Sequence, residues 1–219
     1  MGIIKIQKMG ITKLKADAVV NAANEDLAQG GGVCHYIFTD AGAAEMTAAC
    51  NKYSGCKTGH AVITPGFNLP AKYVIHAVGP RWHGGNQNEP KLLYSAYKQS
   101  LIVAKDNDIH SIGFPLLSSG IFGYPKDKAW RKALQACQDF IDNNPDYDIN
   151  IIFCVLDDET KQMGEEMMDK LECNMVTLCG GIKFDLKDKI DYEEAIAQER
   201  FVATGEGVEF IRTDDNKND

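Results

Sequence analysis

Two uncharged, glycine-bearing segments constrain this chain more than anything else in it. One is Val20-Asn21-Ala22-Ala23-Asn24 running into Gly30-Gly31-Gly32-Val33; the other is Ser118-Ser119-Gly120-Ile121-Phe122-Gly123-Tyr124-Pro125. Each follows a short apolar run of strand character, 16–20 in one case and Ile112-Gly113-Phe114 in the other, and precedes a stretch with helical spacing. A strand–loop–helix unit of this kind aims backbone N–H groups and a helix N-terminus at an anion without needing a lysine. Glycine lets a ligand approach the backbone closely and accepts φ > 0. The pair predicts a phosphate-bearing small molecule held between two loops. A nucleotide phosphohydrolase of the P-loop type is disfavoured, because G-x-x-x-x-G-K-[ST] is absent.

The rest of the pattern alternates. Residues 3–6, 18–20, 61–64, 73–78, 111–114 and 149–156 are short and rich in β-branched side chains, so they read as strands. Residues 33–53, 89–106, 127–142 and 158–171 have helical spacing; in the third, Trp130, Leu134, Cys137 and Ile141 form one apolar stripe. Asp127 and Asp158 are the expected N-caps. Such alternation gives an α/β layered domain with a largely buried central sheet. Its ligands bind at the carboxyl ends of strands, where both glycine loops fall. Residues 80–90, dense in Gly, Pro and Asn, read as a loop.

The boundary is expected near residue 182, with 1–182 forming the domain and 183–219 an acidic extension. The extension holds six basic and eleven acidic side chains, a net of −5 out of −8 for the whole chain of 219 residues. A helix over 183–201, a strand over 208–211 and disorder over 213–219 are its expected features. The acidic balance argues against a nucleic-acid surface, which needs clustered Lys and Arg. Seven scattered cysteines without a C-x-x-C pair read as reduced thiols of a cytoplasmic protein. No secretory signal core and no membrane-length apolar run is visible.

The segment Asp17-Ala18-Val19-Val20-Asn21-Ala22-Ala23-Asn24, the triple glycine, Tyr73-Val74-Ile75-His76-Ala77-Val78-Gly79-Pro80 and the Ser118 loop together resemble a macrodomain, over residues 3–171. The resemblance implies a three-layer α/β/α fold with a mixed, largely parallel sheet. It implies binding of ADP-ribose or an ADP-ribosylated protein, with no metal or cofactor. As an enzyme such a protein hydrolyses a bond at the distal ribose, in mono-ADP-ribosylated protein, O-acetyl-ADP-ribose or ADP-ribose 1″-phosphate. The alternative is a non-catalytic ADP-ribose reader; oligomeric state stays open.

By the same resemblance Asn24 orients the distal ribose, Gly30, Gly31, Gly32 and Val33 wrap that sugar and one phosphate, and Ala22 is a further ligand-binding position. Ser118, Ser119, Gly120, Ile121 and Phe122 wrap the diphosphate, with Phe122 against the ribose. Ile11 and Leu156 lie at the adenine. Three positions depart from the family. Cys34 stands where one hydrolase branch has an aspartate, and a largely neutral thiol hydrogen-bonds weakly. Gly10 replaces the carboxylate that reads the adenine amino group, and Leu156 replaces an aromatic beside it.

Other candidates have plainer readings. Asn24 taken alone is a turn-former, and Asn21 is structural. Cys34-His35 are helix neighbours that do not face each other. Cys50, Cys56 and His60 fit no standard zinc spacing. His76, inside an apolar strand, reads as a hydrogen-bonded core histidine. Trp82-His83 either line the rim of the site or pack their own loop.

Overall fold

Alternate residues along the central strands sort onto two faces, and this sorting builds two cores. A computed structural model of the chain describes residues 2–178, 201–204 and 207–210. Its main sheet contains β1 (Ile3–Lys8), β2 (Ala18–Ala22), β3 (Ala61–Pro65), β4 (Tyr73–Ala77), β5 (Ser111–Phe114) and β6 (Asn150–Val155), in the order β1-β6-β5-β2-β4-β3. Every neighbouring pair is parallel except β3 with β4. Ala18, Val20, Ile75, Ile112 and Phe153 face one core, while Val19, Val74 and Cys154 face the other. That is the period-two consequence of the pleat.

Helices cover both faces. On one side α1 (Val33–Ala41) and α2 (Ala43–Cys50) bury Ile37, Phe38 and Met46. On the other, α3 (Glu89–Asp106) and α4 (Lys126–Asp142) bury Leu93, Tyr97, Trp130 and Leu134. There α5 (Asp158–Leu178) adds Met163 and Met167. The expected three-layer α/β/α arrangement is the observed one. Trp130 is fully buried and its indole N–H donates to the Thr160 carbonyl at 3.0 Å, so α4 and α5 are joined at a polar atom inside an apolar contact.

Three details differ from expectation. The single helix expected over 33–53 is broken at Gly42, whose φ of 104° ends α1 and starts α2. Its N–H bonds the Phe38 carbonyl there, a conformation that L side chains rarely adopt. Asp127 does not cap α4; Pro125 occupies that position and Asp127 lies in the first turn, where its charge still suits the helix dipole. The cap of α5 is Asp157 rather than Asp158, its Oδ1 accepting from the Thr160 N–H at 2.7 Å.

The chain divides into two compact units, Met1–Glu172 and Cys173–Asp219. Within the second, β7 (Phe201–Thr204) and β8 (Gly207–Phe210) form an antiparallel pair, the latter close to the strand expected at 208–211. The helix expected over 183–201 and the disorder expected at 213–219 lie outside the described residues, save Phe201, which begins β7. Among the described residues no helix is long and apolar enough to cross a membrane.

One carboxylate ties the amino ends of β2 and β5. Asp17 Oδ2 accepts from the His110 N–H at 3.1 Å, the Ser111 N–H at 2.8 Å and the Ser111 hydroxyl at 2.7 Å. Hydrogen bonds to a charged acceptor are the stronger kind, so Asp17→Ala should lower unfolding free energy by about 2 kcal/mol. Urea denaturation reads this directly. An unchanged midpoint would show that the strands hold their register without the pin.

Candidate functional site

Four loops leave the carboxyl ends of four adjacent strands, and they carry the residues expected at the site apart from Ala22 and Val33, which adjoin them. In sheet order they follow β1 (Gly10, Ile11), β6 (Leu156), β5 (Ser118 to Phe122) and β2 (Asn24 to Val33). Ala22 is the last residue of β2 and Val33 the first of α1.

The first glycine loop is held from inside. The Asn24 amide clasps Ala28, with Nδ2 donating to its carbonyl at 2.9 Å and Oδ1 accepting its N–H at 3.0 Å. Each amide atom keeps one hydrogen-bonding position for a further partner. The plain, turn-forming reading of Asn24 is the one these contacts display. Cys34 lies beneath the loop, 3% exposed. Its sulfur accepts from the Gly30 N–H at 3.3 Å and from Asn21 Nδ2 at 3.6 Å, and donates to the Ala28 carbonyl at 3.7 Å. The thiol is a strut of the loop, facing inward. His35 is exposed beside Gln29, so the two helix neighbours do not pair.

Below Cys34 runs a buried polar chain. Asn21 Nδ2 approaches His76 Nδ1 at 3.1 Å, and His76 Nε2 approaches the Thr64 hydroxyl at 2.9 Å. With the amide donating, Nδ1 must accept and the ring proton sits on Nε2, an assignment made from the partners. Burial holds the His76 pKa down at about 4. Cys50, its Sγ 3.7 Å from His76 Nε2, is pushed up to about 11 by burial and by Cys34. It therefore belongs to this chain rather than to Cys56 and His60, and among the described residues no cluster of three or more His, Cys, Asp or Glu could hold a metal.

The second loop carries strain and an orphaned hydroxyl. Ser118 has φ 65°, and its Oγ is buried without a partner. The turn closes with the Tyr124 N–H donating to the Ser118 carbonyl at 3.0 Å and the Gly123 N–H to that of Gly120 at 2.9 Å. The Ser119 hydroxyl donates to the Leu116 carbonyl at 2.8 Å. Ile121 is 69% exposed yet spans the gap: a Cβ placed on Gly31 would meet its Cδ1 at 2.9 Å. The two glycine loops thus approach each other closely, and a side chain at 31 would have to push the Ile121 tip aside.

On the third side the sequence pointed to Trp82 and His83 but not to Glu89 or Arg81. The loop after β4 is fixed by Glu89, 1% exposed, whose carboxylate accepts from the N–H groups of His83 and Gly85 at 3.0 Å each and of Gln87. Burial opposes ionisation of Glu89, but the backbone donors outweigh it and hold the pKa at about 2. The Trp82 N–H donates to the Phe122 carbonyl at 2.8 Å and its ring tilts against Tyr124 at 4.5 Å. Trp82 therefore joins this loop to the glycine loop, while His83 is exposed. The Arg81 guanidinium stands 4.4 Å from the Phe122 ring centroid.

At the far end Gly10 has ordinary extended geometry, φ −70° and ψ 126°, and a Cβ there would meet nothing within 4 Å. Ile11 is buried in the α1–α2 core, which leaves its backbone rather than its side chain to a ligand. Leu156 is 68% exposed. Asp157 is engaged as the α5 cap.

The Macro domain family profile matches residues 20–133. An uncharacterized Fusobacterium nucleatum protein is 45% identical over 170 residues, covering 77% of this chain and 96% of its own. The Xenopus laevis ADP-ribose glycohydrolase MACROD2 is 45% identical over 153 residues, 69% of this chain and 36% of that protein. Among solved structures, an Oceanobacillus iheyensis macrodomain with ADP superposes with a TM-score of 0.73 at 32% identity, covering 77% of this chain and 91% of that one. A Trypanosoma brucei macrodomain in complex with ADP-ribose gives 0.69 at 34% identity, covering 75% and 68%.

The buried histidine has a pH consequence. Its folded pKa is depressed, so between pH 6.5 and about 4 the unfolded chain takes up a proton that the folded one refuses. Stability is therefore full above about pH 6.5 and falls as the pH is lowered toward 4, by an amount on the order of 3 kcal/mol. Urea titrations at stepped pH should show this slope, and His76→Gln should flatten it. Equal slopes in both proteins would remove His76 as its source.

Proposed function

The chain belongs to the macrodomain family, and on that premise we propose that it binds ADP-ribose or a close derivative and hydrolyses a bond at the distal ribose. The observation that carries this reading is the meeting of the two glycine loops at the ends of adjacent β2 and β5, Gly31 against Ile121, with Asn24 beside them. The solved complex of a relative with ADP-ribose and the glycohydrolase name of another support it. In this reading the backbone N–H groups of Gly30 to Val33 and Ser118 to Phe122 hold the diphosphate. Asn24 orients the sugar, and Phe122 limits its movement. Positioning, rather than an acid or base side chain, supplies the rate advantage. Substrates of the class are mono-ADP-ribosylated protein, O-acetyl-ADP-ribose and ADP-ribose 1″-phosphate.

A second reading, a non-catalytic reader, is favoured by one observation: Cys34 faces inward and offers no carboxylate to the sugar. Incubation with a mono-ADP-ribosylated protein separates the two. Catalytic release of ADP-ribose supports the hydrolase; stable one-to-one retention supports the reader.

Calorimetry tests the site itself. Asn24→Ala should weaken ADP-ribose binding by about 1–3 kcal/mol, the worth of one or two sugar hydrogen bonds together with the loosened Ala28 clasp. Equal affinity in a folded variant would take Asn24 out of the site.

The purine end generates a separate expectation. With no carboxylate at Gly10 and no ring at 156, the base contributes mainly apolar burial. IDP-ribose, carrying a carbonyl where adenine has its amino group, should bind within about tenfold of ADP-ribose, a gap of ~1.4 kcal/mol. Gly10→Asp fits the open space and ordinary φ there, and it should widen the gap in favour of ADP-ribose. A hundredfold rejection of the inosine analogue by the native protein would mean that another residue reads adenine.

A further inference from the structure

Among the described residues Arg81 is the one exposed cation placed directly on a ring of the second glycine loop, its guanidinium 4.4 Å from the Phe122 centroid. Among the described residues it has no ion-pair or hydrogen-bond partner. The backbone beneath it is rigid. Glu89 gathers three N–H groups of the same loop, and the neighbouring Trp82 N–H bonds the Phe122 carbonyl. A second cation, Lys128, lies 5.2 Å from the Trp82 ring. The Glu89 carboxylate is buried on those backbone donors and forms no ion pair with Arg81 or Lys128.

A guanidinium on a ring face is desolvated on one side while its planar fork of donors stays available, a geometry suited to phosphate or carboxylate oxygens. We infer that Arg81 is a specificity-determining residue, which reads negative charge on the group that the distal ribose carries. The site then favours a ligand with an oxyanion at that position, a phosphate monoester above all, over one bearing a neutral acyl group. This rests on the reading of the site given above, with Phe122 at the distal ribose.

The test compares ADP-ribose with ADP-ribose 1″-phosphate on the full chain, by stopped-flow binding ahead of any turnover, in the native protein, Arg81→Gln and Arg81→Lys. The native protein should prefer the phosphate-bearing ligand by about tenfold, as one exposed charge-assisted contact allows. Arg81→Gln should abolish the preference and Arg81→Lys keep part of it, with melting temperatures unchanged. Added salt should erode the preference in the native protein and leave Arg81→Gln unaffected. Absence of any native preference, or an equal preference in Arg81→Gln, overturns the assignment of Arg81 while leaving the ADP-ribose site standing. Failure of the native protein to bind either ligand overturns both.

Discussion

The parallel pairing of β2 with β5 is the constraint from which the site follows. It is short, with Ala18 opposite Ile112 and Val19 opposite Gly113, yet it sets the two glycine loops side by side. Gly113 contributes twice. A Cβ there would meet Leu14 Cδ2 at 2.4 Å and Ile11 Cγ1 at 3.7 Å. Its absence lets the short turn after β1, Ile11–Lys13, close down on the strand that carries the second glycine loop. The turn after β1 and the second glycine loop are thus packed on one strand. At the opposite edge of the same pairing Asp17 fixes the register. Because the side-chain period of a strand is two, any slip there would turn Val19 and Val20 to the wrong cores.

The second loop shows how a binding surface is prepared in advance. Ser118 in the left-handed region costs on the order of 1–2 kcal/mol relative to an ordinary turn. Its Oγ would lie 2.2 Å from a Cβ on Gly79, so glycine at 79 is what makes room for it. The strained conformation persists because both sides of the loop are tied. The Tyr97 hydroxyl accepts the Leu117 N–H at 2.8 Å, and Trp82 holds Phe122. A loop held in this way loses little further entropy when a ligand arrives, which is where preorganisation contributes to affinity.

Much of this was legible in the sequence. β5 and α3 fall at their expected bounds because β-branched runs and amphipathic spacing are local signals, and the glycine loops stand out because an uncharged Gly-rich strand end has few other uses. The misses are non-local or stereochemical. Gly42 interrupts a continuous helical pattern through one φ value that composition does not display. Asp157 and Asp158 are adjacent, and only the direction of the chain leaving β6 selects the first as cap. Arg81 carried no signal at all, since its meaning depends on Phe122, forty-one residues away. His76 read correctly as a core histidine, but its link through Asn21 to the Cys34 strut needed β2 and β4 in register, Asn21 opposite His76.

The two ends of the site are built to different standards, and that difference locates selectivity. At the end bearing the two glycine loops every loop is braced: Asn24 on Ala28, Cys34 on Gly30, Glu89 on its own loop, Ile121 against Gly31. At the opposite end, where the proposed function puts the base, Leu156 is exposed and Gly10 leaves space empty of side chain. Apolar burial of a base discriminates weakly between purines, since it scales with area and ignores which edge carries a donor. Hydrogen-bonded positions on rigid loops discriminate strongly, because a ligand lacking the matching group leaves them unpaired. On the proposed reading of the site, differences between ligands that vary at the distal ribose should therefore weigh more with this protein than differences in the base, since the braced loops, the one bearing Arg81 among them, all lie at the end assigned to that sugar.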